Sequence, residues 1–155
     1  MTPDEETVAY VAITRLQAAY ADVCTRRAWP ELHQLFVPDA PVHIDTVSNP
    51  VIEVVGPQQL GEFIGKAIER FEFFEFVILN TVVDVTSDRT ATGRKYMVEL
   101  RQDSFNGMWT NAFGVYHDSY VRGDDGRWRF AERHYQSLAR TGRGEVLPFP
   151  AQMRS

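Results

Sequence analysis

Two long β-rich runs that meet at Gly123-Asp124-Asp125-Gly126 constrain this chain more than any other stretch. Glycines and aspartates at that point suit a tight reversal. The flanking residues, from Met108 to Tyr135, are dense in aromatic and branched types, so the sequence predicts a hairpin of two long strands. Successive side chains of a strand point to opposite faces. Trp109, Asn111, Phe113, Val115 and His117 therefore share one face, and Thr110, Ala112, Gly114, Tyr116, Asp118 and Tyr120 share the other. The first set is mostly apolar with one amide and one imidazole, the make-up of a ligand pocket, and it is expected to look inward. The second suits a half-wet face or a subunit contact. In the return run, Trp128, Phe130, Glu132 and His134 alternate with Arg127, Arg129, Ala131 and Arg133, which makes one side aromatic and the other basic.

Ahead of the hairpin the pattern is helical first and extended later. Thr2-Pro3-Asp4-Glu5-Glu6 has the capping and acidic residues of a helix start. Apolar residues then recur near the helical period from Val8, Tyr10 and Val11 through Ile13, Leu16, Tyr20 and Val23 until Trp29-Pro30 ends the run. A short helix is expected from Pro30, a strand over Val42–Thr46, a second short strand over Val51–Val55, and a third helix over Gln58–Glu72. The apolar run Phe73–Val85 and the stretch Thr90–Arg101 read as two further strands. Helices first and antiparallel strands after them make an α+β domain, about three helices packed on a strongly curved, mostly antiparallel sheet rolled into a cone. Residues 1–140 form that domain. Residues 141–155 carry too many glycines and prolines for a regular element.

At 155 residues one domain with a sizeable core is expected. A net charge of −5 without a dense basic cluster argues against a nucleic-acid partner. No apolar run approaches the roughly 20 residues of a membrane-spanning helix. The acidic amino terminus lacks a secretory pattern, and a single cysteine, Cys24, forms no intrachain disulfide, so a cytoplasmic setting is expected.

Several short stretches together resemble the SnoaL-like branch of the nuclear-transport-factor-2-like superfamily. They are Tyr20-Ala21-Asp22, Arg27-Ala28-Trp29, Leu35-Phe36 followed by Pro38-Asp39-Ala40, Ile44-Asp45, the run from Gly114 to Tyr120, and the run from Asp125 to Arg133. The resemblance covers nearly the whole chain. It implies a cone-shaped fold with a pocket for a hydrophobic cyclic or aromatic molecule, and often a homodimer or higher oligomer. Dehydratases of this family carry proton-transfer residues at places where this chain has Cys24-Thr25, Thr46, Phe76, Arg94 or Lys95, and about His117. The usual His-Asp set is therefore absent.

The chemistry expected is cofactor-free proton transfer beside a carbonyl, of an isomerase, cyclase or dehydratase type. His117 is the candidate acid or base, since imidazole titrates near neutrality. Tyr20 is a candidate oxyanion partner. Asn80 and Asn111 would orient an oxygen, with Phe76, Tyr96, Trp109, Phe113 and Val115 as walls. Asp22 is expected to pair with a basic group such as Arg133 or Arg26. His43, Asp45 and His134 lack the tight spacing of metal ligands, so no metal is expected. Two rival readings are a non-catalytic binder and a structural subunit resembling the small subunit of ring-hydroxylating dioxygenases.

Overall fold

Thr2 starts the first helix, α1 (Pro3–Arg26), with a capping box. Its hydroxyl accepts from the Glu5 N–H, and its own N–H donates to the Glu5 carboxylate, so two donors that a helix start leaves unpaired are satisfied. The computed structural model describes residues 1–147. Ala9, Ile13, Leu16, Gln17, Tyr20, Val23 and Cys24 form the buried stripe of α1 at spacings of three and four. Val8, Tyr10 and Val11 lie round the helix from that stripe and are exposed. Asp22, also outside it, pairs with Arg26 at 2.8 Å. Arg27, in the left-handed region at φ 58°, ends the helix.

A 3-10 turn (Trp29–Gln34) follows, then strands β1 (Pro41–Asp45) and β2 (Ile52–Val55) and helix α2 (Gly56–Ile68). The second helix stops earlier than the apolar period suggests. Phe71 pairs with Asp103 and opens strand β3 (Phe71–Val85), followed by β4 (Thr90–Asp103), β5 (Trp109–Arg122) and β6 (Trp128–Arg140). A short 3-10 turn (Thr141–Arg143) and a two-residue strand, β7 (Glu145–Val146), occupy the start of the segment expected to be irregular. Residues 148–155 of that segment lie outside the described residues. The strands make one curved, unclosed sheet in the order β2-β1-β6-β5-β4-β3, with β7 added to β6. Every pairing is antiparallel except β1 with β6. The predicted α+β class and the hairpin at Gly123–Gly126 are both present.

Which face of the sheet meets the helices is where the expectation reverses. Tyr20 of α1 lies 5.4 Å from the Phe76 ring, 6.3 Å from Tyr116 and 5.8 Å from Phe130. The even-numbered residues of β5, with Tyr116, Asp118 and Tyr120 all buried, therefore look inward. The odd-numbered set from Trp109 to His117 is on the convex side. The cause is a buried charge. Arg133 reaches Asp118 with two bonds of 2.6 and 2.8 Å, and neither side chain has any exposure. A guanidinium removed from water needs such a carboxylate. Tyr120 donates to the same carboxylate at 2.9 Å, and Gln17 of α1 donates to Tyr120, so the pair also fastens helix to sheet.

Register shifts fall at four places in the sheet, and two of them decide where the candidate residues point, because one extra residue moves those that follow to the other face. Ala131 is extra in β6, between the pairs Tyr120↔Phe130 and Ser119↔Glu132. Arg133 thereby joins Trp128 and Phe130 on the inside, and Glu132 and His134 go outside. Leu79 is extra in β3, between Ile78↔Met97 and Asn80↔Tyr96, and it sends Asn80 outward although Phe76 faces in.

Beside the ion pair Lys95 is fully buried, and its Nζ has no hydrogen-bond partner. The rings of Tyr20 and Tyr116 lie 5.3 Å from it, with Phe76 at 5.6 Å and Phe130 at 5.9 Å. Burial, followed by the positive charge of Arg133, holds this amine well below the ordinary lysine range.

Replacing Asp118 by Ala leaves a buried guanidinium without its partner and should lower the urea unfolding free energy by about 3–5 kcal/mol; a loss under about 1 kcal/mol contradicts this role. Lys95→Met removes an unpartnered polar group and should raise stability by about 1–3 kcal/mol near neutral pH. The unfolded lysine binds its proton up to about pH 10.4 and the folded one releases it earlier, so this group makes wild-type stability rise with pH toward that value. Denaturation curves across neutral to alkaline pH should show the rise in wild type and lose it in Lys95→Met.

Candidate functional site

Helix α2 and the inner face of the sheet enclose a cavity of about 150 Å³. Apolar spacing along α2 supplies Leu60, Phe63, Ile64, Ala67 and Ile68 to one wall, the face its period predicts. Val42 and Ile44 of β1 and Phe71 of β3 line the opposite side, and Tyr20 of α1 reaches in from the roof. Besides the Tyr20 hydroxyl, polar atoms come from four side chains on three neighbouring strands: Glu99 and Arg101 of β4, Tyr116 of β5 and Tyr135 of β6. An apolar cavity of this volume holds about one benzene-sized ring. An apolar chamber with a few convergent polar groups is the usual form of a small-molecule site.

Glu99 and Arg101 are two apart on β4 and share its inner face, with Arg101 Nη1 at 3.4 Å from Glu99 Oε2. Burial raises the Glu99 carboxyl above the usual carboxylate range, and the positive charges of Arg101 and Arg140 only partly offset it. Arg101 Nε is buried and has no hydrogen-bond partner, and its guanidinium lies 5.0 Å from the Phe71 ring. Tyr135 accepts a 3.2 Å bond from Ser137, which itself accepts from Arg140. Burial pushes the Tyr135 phenol up to about 12, so it stays a neutral donor near pH 7. Its ring lies across Gly114. A Cβ at that position would stand 2.1 Å from Cε2 of Tyr135, so the absence of a side chain there is what lets Tyr135 reach the cavity.

The residues singled out from sequence separate into two groups. Tyr20 lines the cavity, and Phe76 backs its wall, packed against Tyr20 and Tyr116. Asn80, Tyr96, Trp109, Asn111, Phe113, Val115 and His117 stand on the convex face, away from the cavity. Trp109 is 61% exposed and packs on Phe73. His117 lines a separate depression with Val82, Arg94 and His134. Its Nε2 is buried without a partner, and burial together with Arg94 lowers its proton affinity. Strand alternation is legible in the sequence, but hydrophobicity points to the odd-numbered set as the inner face, whereas the even-numbered set holds the groups that need burial partners. Glu99, Arg101, Tyr116 and Tyr135 were missed for that reason. The signal that finds them is Asp118 facing Arg133 across the hairpin, which marks the even-numbered face as the inner one.

Cys24 is buried, and burial pushes its thiol up to about 12, which removes it as a nucleophile at neutral pH. Among the described residues no helix is long and apolar enough to cross a membrane.

Among curated proteins none matches the chain in sequence. Among solved structures, LinA superposes with a TM-score of 0.80 at 18% identity, covering 97% of this chain and 100% of that one. A hexachlorocyclohexane dehydrochlorinase, LinA-type3 from Novosphingobium barchaimii LL02, gives a TM-score of 0.78 at 17% identity, covering 96% of this chain and 100% of that one. ActVI-ORFA from Streptomyces coelicolor gives 0.68 at 17% identity, with 83% of this chain and 96% of that one covered. Likenesses at such identities speak to the fold. The SnoaL-like domain matches residues 5–134, and with that extent of match the chain belongs to the SnoaL-like domain family.

Proposed function

We propose that the cone binds a small cyclic or aromatic molecule bearing a carbonyl or enol oxygen and moves a proton on it without a cofactor. The observation that carries this reading is the convergence of a raised carboxyl, Glu99, with Arg101 and the Tyr135 hydroxyl in a chamber otherwise walled by apolar side chains. Glu99, when ionised, takes a proton from carbon next to the carbonyl, and its raised affinity makes it a stronger base than an exposed carboxylate. Arg101 and Tyr135 donate to the oxygen on which negative charge develops. The family's fold relatives include a protein described as a dehydrochlorinase, and abstraction of a proton from carbon is the step that such an elimination shares with isomerisation and cyclisation.

Tyr20 keeps the position suggested for it, at the roof, as a wall with a polar tip. His117 stands outside this chamber and has no part in the step proposed here.

The convex face supports a second element of the reading, a homo-oligomer. Phe73, Leu79, Val82 and Trp109 are all more than a third exposed on that side, and apolar side chains gathered on one sheet face favour a subunit contact. The structural-subunit reading draws on this same surface, and isolation as a stable homo-oligomer without a larger partner favours the small-molecule reading over it.

One-ring ketones such as acetophenone should raise the thermal midpoint, and the enzyme should exchange their α-protons with D2O, followed by NMR. Exchange should climb with pH through a value above the ordinary carboxylate range, because only the ionised Glu99 accepts a proton. Glu99→Gln should reduce it by about 10²–10⁴-fold. Unchanged exchange in Glu99→Gln contradicts the assignment, and a midpoint shift with no exchange leaves a binder. By light scattering, Leu79→Asp combined with Trp109→Asp should turn an oligomer into a monomer; a wild-type chain of monomer mass contradicts the proposed contact.

A further inference from the structure

On the convex face one row of side chains crosses six strands. Val82, Arg94, His117, His134, His43 and Glu53 are successive register partners on β3, β4, β5, β6, β1 and β2. Three of the four histidines in the chain thus stand side by side. The bulge at Ala131 puts Glu132 and His134 on this face together, and the parallel pairing of β1 with β6 brings His43 against them.

The rings of His43 and His134 stack at 4.1 Å with an interplanar angle of 16°. Glu132 Oε1 lies 2.8 Å from His134 Nε2 and 3.8 Å from His43 Nε2. The ligating atoms of these three residues all fall within 4.8 Å of one another. On its other nitrogen, Nδ1, His43 meets the Glu53 carboxylate at 2.9 Å. A carboxylate that accepts from one imidazole nitrogen fixes the tautomer and leaves the other nitrogen with a free lone pair, the arrangement found behind metal-bound histidines.

We propose that His43 Nε2, His134 Nε2 and the Glu132 carboxylate form a three-ligand site for a divalent transition-metal ion of the zinc class. Bonds of about 2.0–2.2 Å in a tetrahedral shell put ligand atoms roughly 3.3 Å apart. The two separations from the carboxylate, 2.8 and 3.8 Å, lie on either side of that value, and closing the shell also requires the stacked imidazoles to turn out of parallel so that both Nε2 lone pairs meet at one ion. Two imidazoles and one carboxylate suit zinc, nickel or copper and do not suit magnesium or calcium, which take oxygen donors. The His134 and Glu132 side chains keep 50% and 42% of their exposure, so an ion has an open approach and a fourth position for water. The absence of a His-x-His spacing hides the site in the sequence, since its ligands come from two strands joined only by parallel pairing. This site stands on the face opposite the cone and does not depend on the function proposed for it.

The test uses the full chain, free of any histidine tag and stripped with a chelator, titrated calorimetrically with ZnCl2 and separately with MgCl2. One zinc per chain and no response to magnesium are expected, with a zinc-dependent rise in the thermal midpoint. His43→Ala and His134→Ala should each abolish zinc uptake, and Glu53→Gln should weaken it about 10–100-fold. Metal-free variants that keep the wild-type midpoint show that the loss is local. For wild type itself, zinc should shift the imidazole NMR signals of His43 and His134 and leave those of His33 in place, a readout that needs no variant to fold. No zinc uptake, equal uptake of magnesium, or zinc uptake that persists in the His43→Ala, His134→Ala double variant overturns the proposal.

Discussion

A guanidinium with no exposed surface persists inside a protein only beside a carboxylate, and Asp118 is that carboxylate for Arg133. The rest of the cone follows from this pair. Asp118 commits the even-numbered side chains of β5 to the interior, and Arg133 requires the bulge at Ala131 to arrive there from β6. Tyr120 and Gln17 extend the pair to α1, while the rings of Tyr20, Tyr116 and Phe130 lie 4.1–4.3 Å from the guanidinium. One ionic contact thus sets the roof, the sheet and the direction from which aromatic side chains enter. Lys95 stays beside it as an unpartnered amine, which the low dielectric and the adjacent cation keep toward its neutral form.

The cavity inherits its chemistry from that commitment. With Tyr116 and Tyr135 turned inward, Glu99 and Arg101 come to the same face of β4, and α2 closes an apolar wall over them. A carboxyl in such surroundings binds its proton more firmly than one in water, so the chamber joins a raised carboxyl to two hydrogen-bond donors without the histidine and aspartate typical of dehydratases in the resembled family. On the other side of the sheet the same sorting leaves Phe73, Leu79 and Trp109 exposed, and lines up His117, His134 and His43.

Much of this architecture is legible before folding. The Thr2-to-Glu5 cap, the Trp29-Pro30 stop, the apolar period of α2 and the Gly123–Gly126 reversal each encode a local preference, and local preferences are what a sequence displays directly. The two faces of β5 are legible as sets. What does not show is which set is inside, because hydrophobicity favours Trp109, Phe113 and Val115, while the partner of Asp118 becomes visible only across the hairpin. Bulges are hidden for a related reason. Leu79 and Ala131 carry no composition that marks them as extra, yet each moves its neighbours to the opposite face, and so Asn80 and Arg133 end up where alternation does not put them. The cluster of His43, Glu132 and His134 rests on parallel pairing between distant strands, which no spacing rule reports.

The central claim is that a ligand sits against the even-numbered face of β5, under α2. The direct measurement is an NMR experiment on the protein saturated with a one-ring aromatic ketone, recording nuclear Overhauser contacts from the ligand. Contacts to the rings of Tyr116, Tyr135 and Phe63 are the expected result. Contacts to Trp109, Phe113 and His117 in their place would put the ligand on the convex face and contradict it.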